Sequence, residues 1–274
     1  MPALTMALIA LPVGAGLLGT LLPAFGWLPA IGGVAISLDP WRSLFDAPGF
    51  GTAVRQSVTT GFAATALSLA LVVGFCAAAH GTAWFRRVQV VLAPILATPH
   101  AALAIGFAFL IAPSGWIARA LSPWATGWQR PPDLATVPDP WGVALVLGLT
   151  LKEVPYLLLA TLAALNQVRA SQAITVARTL GYGPVMAWLK VVAPQVWPQL
   201  RLPVCAVLAF SMSVVDVALV LGPTNPPTLA VLVVRWFGDR DLALWFPAAA
   251  GALLQAGVVV AAIALAWVIE RLAM

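Results

Sequence analysis

"VARTLGYGPVMAWLKVVAP", residues 176–194, decides how the rest of the chain is read. On both sides the sequence is apolar enough to dissolve in lipid. Here it turns basic, breaks at Gly181, Tyr182, Gly183 and Pro184, and resumes as a short amphipathic stretch. Helical periodicity over 167–180 puts Val168, Ile174, Ala177 and Leu180 on one stripe, with Arg169, Gln172 and Arg178 elsewhere. Gly181 is expected to end that helix, because glycine accepts the left-handed position just past a helix C-terminus. Gly183 and Pro184 then read as a new start, with proline at the first helical position. Met186, Leu189 and Val192 line a second short face, and Pro194 is expected to limit it. Segment 167–200 thus reads as a helix, a rigid corner and a short helix on a basic surface. An amphipathic linker lying in the membrane interface gives the same pattern. A docking element is the other reading, since a rigid corner transmits force better than a floppy loop.

Outward from this corner, the composition is that of a membrane protein. Of 274 residues, 62% are hydrophobic and 8% are charged, and the mean hydropathy is +0.98. Soluble domains carry about a quarter charged residues. The 23 Pro and 22 Gly fit helices that bend and pack closely where neighbours satisfy the freed backbone groups. With so few charges, the pI near 10.0 points to basic loops on the cytoplasmic side and not to nucleic acid. Cys76 and Cys205 have neither metal-ligand spacing nor a disulfide framework and read as small packed thiols. The N-terminus lacks a basic region and a small-residue cleavage site, so the first apolar stretch is expected to be a retained span.

A span needs roughly 20 mostly apolar residues. Stretches 4–25, 57–79, 88–112, 141–165, 202–222 and 244–269 qualify, the third kinked or split at Pro94 and Pro99. The expectation is an all-α membrane protein of about six transmembrane helices, with 1–274 forming one transmembrane domain. With both termini in the cytoplasm, the inner segments carry Arg86, Arg87, Arg169, Arg178, Lys190, Arg201 and Arg271, with Glu270 as their acid. The outer segments carry Arg42, Arg55, Arg119, Arg130, Arg235 and Arg240. The short loop holding Arg86 and Arg87 is the best single indicator of orientation. Trp27, Trp41, Trp116, Trp124, Trp128, Trp141 and Trp236 in the outer loops read as interfacial anchors. The long 113–140 loop also offers a surface on which something outside could dock.

Lys152 and Glu153 fall in the middle of the fourth stretch, and Asp216 in the outer half of the fifth. Charges at that depth are costly and face protein or water. Consecutive helix positions point about 100° apart. One arrangement pairs Lys152 with Asp216 across neighbouring helices and turns Glu153 toward a cavity. A structural ion pair and a polar site on a translocation path both fit, and Pro155 is positioned to kink the helix there. "GPTNPPT", residues 222–228, reads as a turn at the outer mouth.

The corner also resembles the cytoplasmic "EAA" loop of ABC importer permeases, the membrane subunits of binding-protein-dependent uptake systems. Thr175, Val176 and Ala177 stand where Glu-Ala-Ala would, Gly181 matches the glycine, and Val191, Val192, Ala193 and Pro194 follow at the Ile-x-Leu-Pro positions. Thr175 replaces the Glu and Ala193 the Leu. "TPHAALAIGFAFLIAPSGW", residues 98–116, is similar to the third span and following loop of the branch that includes thiamine, ferric iron and polyamine permeases. "SVVDVALVLGPTNPPTLAVLVVRWF", residues 213–237, resembles one half of a double-length permease of that branch, here as a separate subunit.

The resemblance implies a type I importer in the bacterial inner membrane. Its partners would be a second permease, two ATP-binding subunits and an extracytoplasmic solute-binding protein. Segment 167–200 would be the coupling helix, carrying Thr175, Val176, Ala177, Gly181, Tyr182, Gly183, Pro184, Val191 and Pro194. The chain itself would hold no cofactor, and ATP and Mg would be bound by the partner ATPase. In agreement, no glycine-rich loop ends in Gly-Lys-Ser/Thr, since Lys152 and Lys190 both follow Leu. His80 and His100 lack a neighbour that would orient them for acid–base work. An ion-coupled secondary transporter using Lys152, Glu153 and Asp216 is the alternative, and an intramembrane enzyme a third. The lack of an evident inverted repeat weighs against the former, and the lack of a catalytic set against the latter.

Overall fold

The computed structural model describes residues 2–273, apart from a few side chains within the helices, that of Arg86 among them. The elements are α1 (Pro2–Ala24), a two-residue hairpin of β1 (Trp27–Leu28) and β2 (Gly33–Val34), α2 (Asp39–Phe45), α3 (Phe50–Ala79), α4 (Ala83–Ala97), α5 (His100–Ile111) and α6 (Trp116–Leu121). There follow α7 (Val143–Leu165), α8 (Ala170–Thr179), α9 (Pro184–Ala187), α10 (Ala193–Ser213), α11 (Asp216–Leu221), α12 (Leu229–Phe237) and α13 (Trp245–Ala273). The fold is all-α, as expected.

Among the described residues, five helical stretches are long and apolar enough to cross a membrane: Leu4–Ala24, Phe50–Ala79, His100–Leu121, Val143–Leu165 and Leu242–Leu272. Two of the expected spans differ. Stretch 88–112 is split into α4 and α5 at Thr98 and Pro99. Proline has no N–H for the helix ladder, and the residue before it is pushed into extended backbone, which Thr98 adopts at φ −66°, ψ 130°. Stretch 202–222 is divided between α10 and α11, with Val214 extended at the join (ψ 136°), and is not among the five.

The centre of the molecule is α3 packed on α7 and α10. The inward face of α3 is built from Ser57, Thr60, Gly61, Ala64, Thr65 and Ser68, all buried at three- and four-residue spacing. Small residues let backbones approach closely where lipid supplies no hydrophobic push. The approach is tight enough that a Cβ on Gly61 would run into Met212, and one on Gly148 into Leu221. The long helices α1 and α13 flank this core, and most large side chains of α1 are exposed, Leu8 at 67% and Leu18 at 68% among them. Such a surface suits lipid.

The two ends of the bundle differ. At one end the close of α3, the start of α4, the close of α7 and the 170–192 corner share a core of Cys76, Phe85, Leu165, Ala170, Trp188 and Val192. At the other end the start of α3 meets the 139–142 and 222–229 loops. Gln56 donates to the Pro140 carbonyl (2.8 Å), and the Leu229 N–H donates to Ser57 Oγ (2.9 Å). Residues 222–228 form a packed turn, with Gly222, Pro223 and Thr228 buried. Cys76 is buried, Cys205 is half-buried, and neither is in a disulfide. The His80 ring packs edge-on against Phe85 at 5.4 Å.

Candidate functional site

Two constellations stand out: the corner at one end, and a polar cluster in the middle of the bundle.

The corner is closed by backbone chemistry that the sequence specifies. Past α8, Gly181 takes φ +90°. The Gly181 N–H donates to the Arg178 carbonyl (3.0 Å) and the Tyr182 N–H to the Ala177 carbonyl (3.2 Å). That bond pair satisfies carbonyls the helix end would orphan. Gly183 caps α9 in extended backbone and Pro184 opens it. The Tyr182 ring stacks beneath the Lys190 ammonium at 5.0 Å. Thr175 Oγ1 donates to the Ser171 carbonyl (2.9 Å) within its own helix.

Three expectations about this segment are corrected. Its helix spans Ala170–Thr179, starting three residues later than 167. Pro194 does not limit the second piece: α9 runs through a π turn, Trp188–Val192, straight into α10. Pro194 lies in the first turn of α10, where its missing N–H costs little. Leu180, Met186 and Leu189 do not form the inward face, being 74%, 45% and 36% exposed. Trp188 (1% exposed) and Val192 (0%) take that place. Burying the large indole removes the most apolar area from water and sets the roll of the helix. The exposed side chains Val176, Leu180, Tyr182, Val185, Met186 and Leu189 surround the corner instead. Ala177 is buried beneath them, and Val191 is half-buried.

In the middle of the bundle, Lys152 and Glu153 on α7 are 8% and 3% exposed. Lys152 does not meet Asp216. Its ammonium donates to the carbonyls of Ile95 (2.9 Å), Leu96 (2.8 Å) and Thr98, at the C-terminal end of α4. The α4–α5 break leaves those carbonyls without helical partners, and a cation is favoured at a helix C-terminus. Asp216 opens α11 and is exposed. Glu153 accepts hydrogen bonds from Ser68 (2.8 Å) on α3 and from Ser211 on α10. Helix α7 runs unbroken through Pro155. Glu153, Lys152, Leu96, His100, Tyr156 and Phe210 line an open cavity of about 350 Å³ that continues along Ala206 and Val207. The His100 ring sits 4.9 Å from that of Phe210.

Sequence reasoning missed three polar locks. The Asp139 carboxylate, 6% exposed, caps α7 by accepting from the N–H groups of Trp141 (3.0 Å), Val143 (3.0 Å) and Ala144 (2.7 Å). An Asp just before a long apolar run was a visible N-cap signal. Gln255 on α13 donates to the Met212 carbonyl (3.1 Å) beside the α10–α11 break. Glu270 accepts from Trp197 Nε1 (2.7 Å) and pairs with Arg201 (2.5 Å), tying α13 to α10. Neither of these last two has a local sequence signature. Among the described residues no group of His, Cys, Asp and Glu is arranged to hold a metal ion.

The whole chain superposes on known proteins. A crystal structure of a bacterial ABC transporter involved in the import of the acidic polysaccharide alginate matches with a TM-score of 0.71, covering 99% of this chain and 99% of that one at 15% identity. A structure of a bacterial alginate ABC transporter in complex with a pentasaccharide-bound periplasmic protein matches with a TM-score of 0.72, over 97% and 90% of the two chains at 16% identity. This chain has an ABC transporter fold. In sequence it is 35% identical over 212 residues to the inner membrane ABC transporter permease protein YnjC of Escherichia coli (strain K12). That match takes in 76% of this chain and 39% of the relative, so the chain spans about two-fifths of the relative's length. No family model matches the sequence.

Proposed function

We propose that the chain is a membrane permease unit of an ATP-driven ABC importer of the type I class, forming the path for a small solute delivered by an extracytoplasmic binding protein. The observation that carries this reading is the corner. A rigid glycine-closed turn presents exposed apolar side chains, Val176, Leu180, Val185 and Met186 among them, and continues through α9 and the π turn into α10. Helix α10 packs on α3 and α7, which hold Ser68 and Glu153. A push on the corner is therefore delivered along one helix to the polar centre. The likeness to YnjC and to the alginate transporter chains supports the same reading.

The chain would sit in the bacterial inner membrane with the corner and both termini in the cytoplasm. ATP and Mg would be bound and hydrolysed by two partner subunits, with the exposed corner residues seated in a groove of one of them. A second permease would complete the path. The solute class of the thiamine, ferric iron and polyamine branch belongs to this proposal and rests on the motifs at 98–116 and 213–237.

Gly181→Val tests it. No atom lies within 4 Å of a Cβ built on Gly181. The substitution therefore acts through backbone alone, at about 1–2 kcal/mol for a left-handed non-glycine residue. The variant is expected to insert normally yet lose association with the ATP-binding subunit and solute-stimulated ATP hydrolysis in the reconstituted complex. Full association and full stimulation would remove the coupling role.

A further inference from the structure

The intramembrane cavity has a chemical character of its own. Lys152 and Glu153 both line it, yet their charges are committed differently. The three protons of the Lys152 ammonium meet three backbone carbonyls, those of Ile95, Leu96 and Thr98, so no donor is left for an anion in the cavity. The Glu153 carboxylate accepts from two hydroxyls, of Ser68 and Ser211, and has about four lone-pair sites. Acceptor capacity remains on the carboxylate alone. Among the described residues, its hydrogen-bond partners are hydroxyls and not a basic side chain.

The rest of the wall is carbon and ring. Leu96, Val207 and Ala206 are apolar, and Tyr156, Phe210 and His100 contribute rings. Aromatic faces attract a cation through the ring quadrupole, most strongly one that is weakly hydrated. A volume of about 350 Å³ lies within the range of small-molecule sites. One carboxylate and one imidazole are too few oxygen and nitrogen ligands to replace the shell of a bare metal ion. A solute carrying carboxylates would meet Glu153 as a like charge in a low-dielectric setting.

We infer that this cavity is a transit subsite for a small organic cation, with Glu153 receiving the ammonium-type head and Tyr156 and Phe210 flanking it. The inference rests on the importer reading, since it assigns a solute class to the path proposed there.

The test uses the full chain in lipid nanodiscs with Cys76→Ala and Cys205→Ala, and a single reporter, Ala206→Cys, on the cavity wall. The readout is the rate of maleimide labelling at that cysteine. Benzyltrimethylammonium is expected to slow it saturably, whereas benzenesulfonate and benzyl alcohol leave it unchanged. Glu153→Gln should weaken the protection roughly tenfold, and Phe210→Leu several-fold, as loss of about 1–2 kcal/mol predicts. Protection by benzenesulfonate equal to that by the cation would overturn the assignment. So would undiminished protection in Glu153→Gln or, if that variant does not insert, in Phe210→Leu. This labelling needs no ATPase or binding protein. Its failure is therefore distinct from failure of the importer reading, which is scored by stimulated ATP hydrolysis in the assembled complex.

Discussion

Lys152 is a charged residue in mid-span whose three hydrogen bonds all go to the main chain of another helix. Removing the ammonium leaves those carbonyls buried and unpaired. Lys152→Met is expected to destabilise the folded protein by about 2–4 kcal/mol, an intramembrane bond being worth about 0.6–2 kcal/mol and an orphaned buried acceptor about 1–3. Detergent unfolding measures it directly. Asp216→Leu should be within about 0.5 kcal/mol of wild type, because the side chain is exposed and does not meet the lysine. The double variant should then be additive to within about 0.5 kcal/mol. A coupling well above that would restore the ion pair that the geometry rejects. At the other end of the same helix, Asp139→Ala removes a carboxylate accepting three N–H bonds and should cost about 1–2 kcal/mol, a loss readable as a lowered Tm.

Between elements, separation is governed by what is missing from side chains. The face α3 turns to α7 and α10 consists of Ser, Thr, Ala and Gly. Gly61→Leu is expected to cost about 1–3 kcal/mol by forcing α10 away at Met212. Gly74→Leu, on the same helix with no atom within 4 Å of a built Cβ, should leave stability near wild type. Thermal unfolding of the pair separates packing from helix propensity, since both substitutions change propensity alike. Breaks between elements follow a second pattern. Each intramembrane break has a carbonyl capped by a side chain from a different helix: Lys152 from α7 for α4, and Gln255 from α13 for α10. Lipid offers no water to such groups, so the protein must supply the partner.

Across the whole molecule, one end gathers the corner and the close of α3 and α7, while the other gathers the start of α3 and α7 with the tryptophan-rich loops. Trp116, Trp124 and Trp141 at that second end are 71–79% exposed, as interfacial anchors would be. Ser171 and Gly127 lie at opposite ends and are both exposed. In intact cells, an impermeant maleimide should label Gly127→Cys and spare Ser171→Cys until the membrane is permeabilised. The reverse pattern would turn the molecule over and place the corner outside.

The sequence by itself determined what depends on local backbone rules and on total apolarity. The lipid-soluble spans, the split at Pro99, the left-handed Gly181 and the Pro184 start all follow from residue type at one position. Glycine and proline carry their conformational limits wherever the chain goes. The tertiary structure alone decided where long-range partners lie. Lys152 finds carbonyls more than fifty residues back, Glu153 finds hydroxyls on two other helices, and Asp216 stays exposed. A charge in a bilayer must be satisfied, but many partners can satisfy it, and only packing selects one. The same holds for the corner's roll. Its periodicity allowed Met186 and Leu189 to face inward, and the π turn with the buried Trp188 turned them out. A π turn adds a residue to one helical turn and resets the face that follows, which a count at 3.6 residues per turn cannot see.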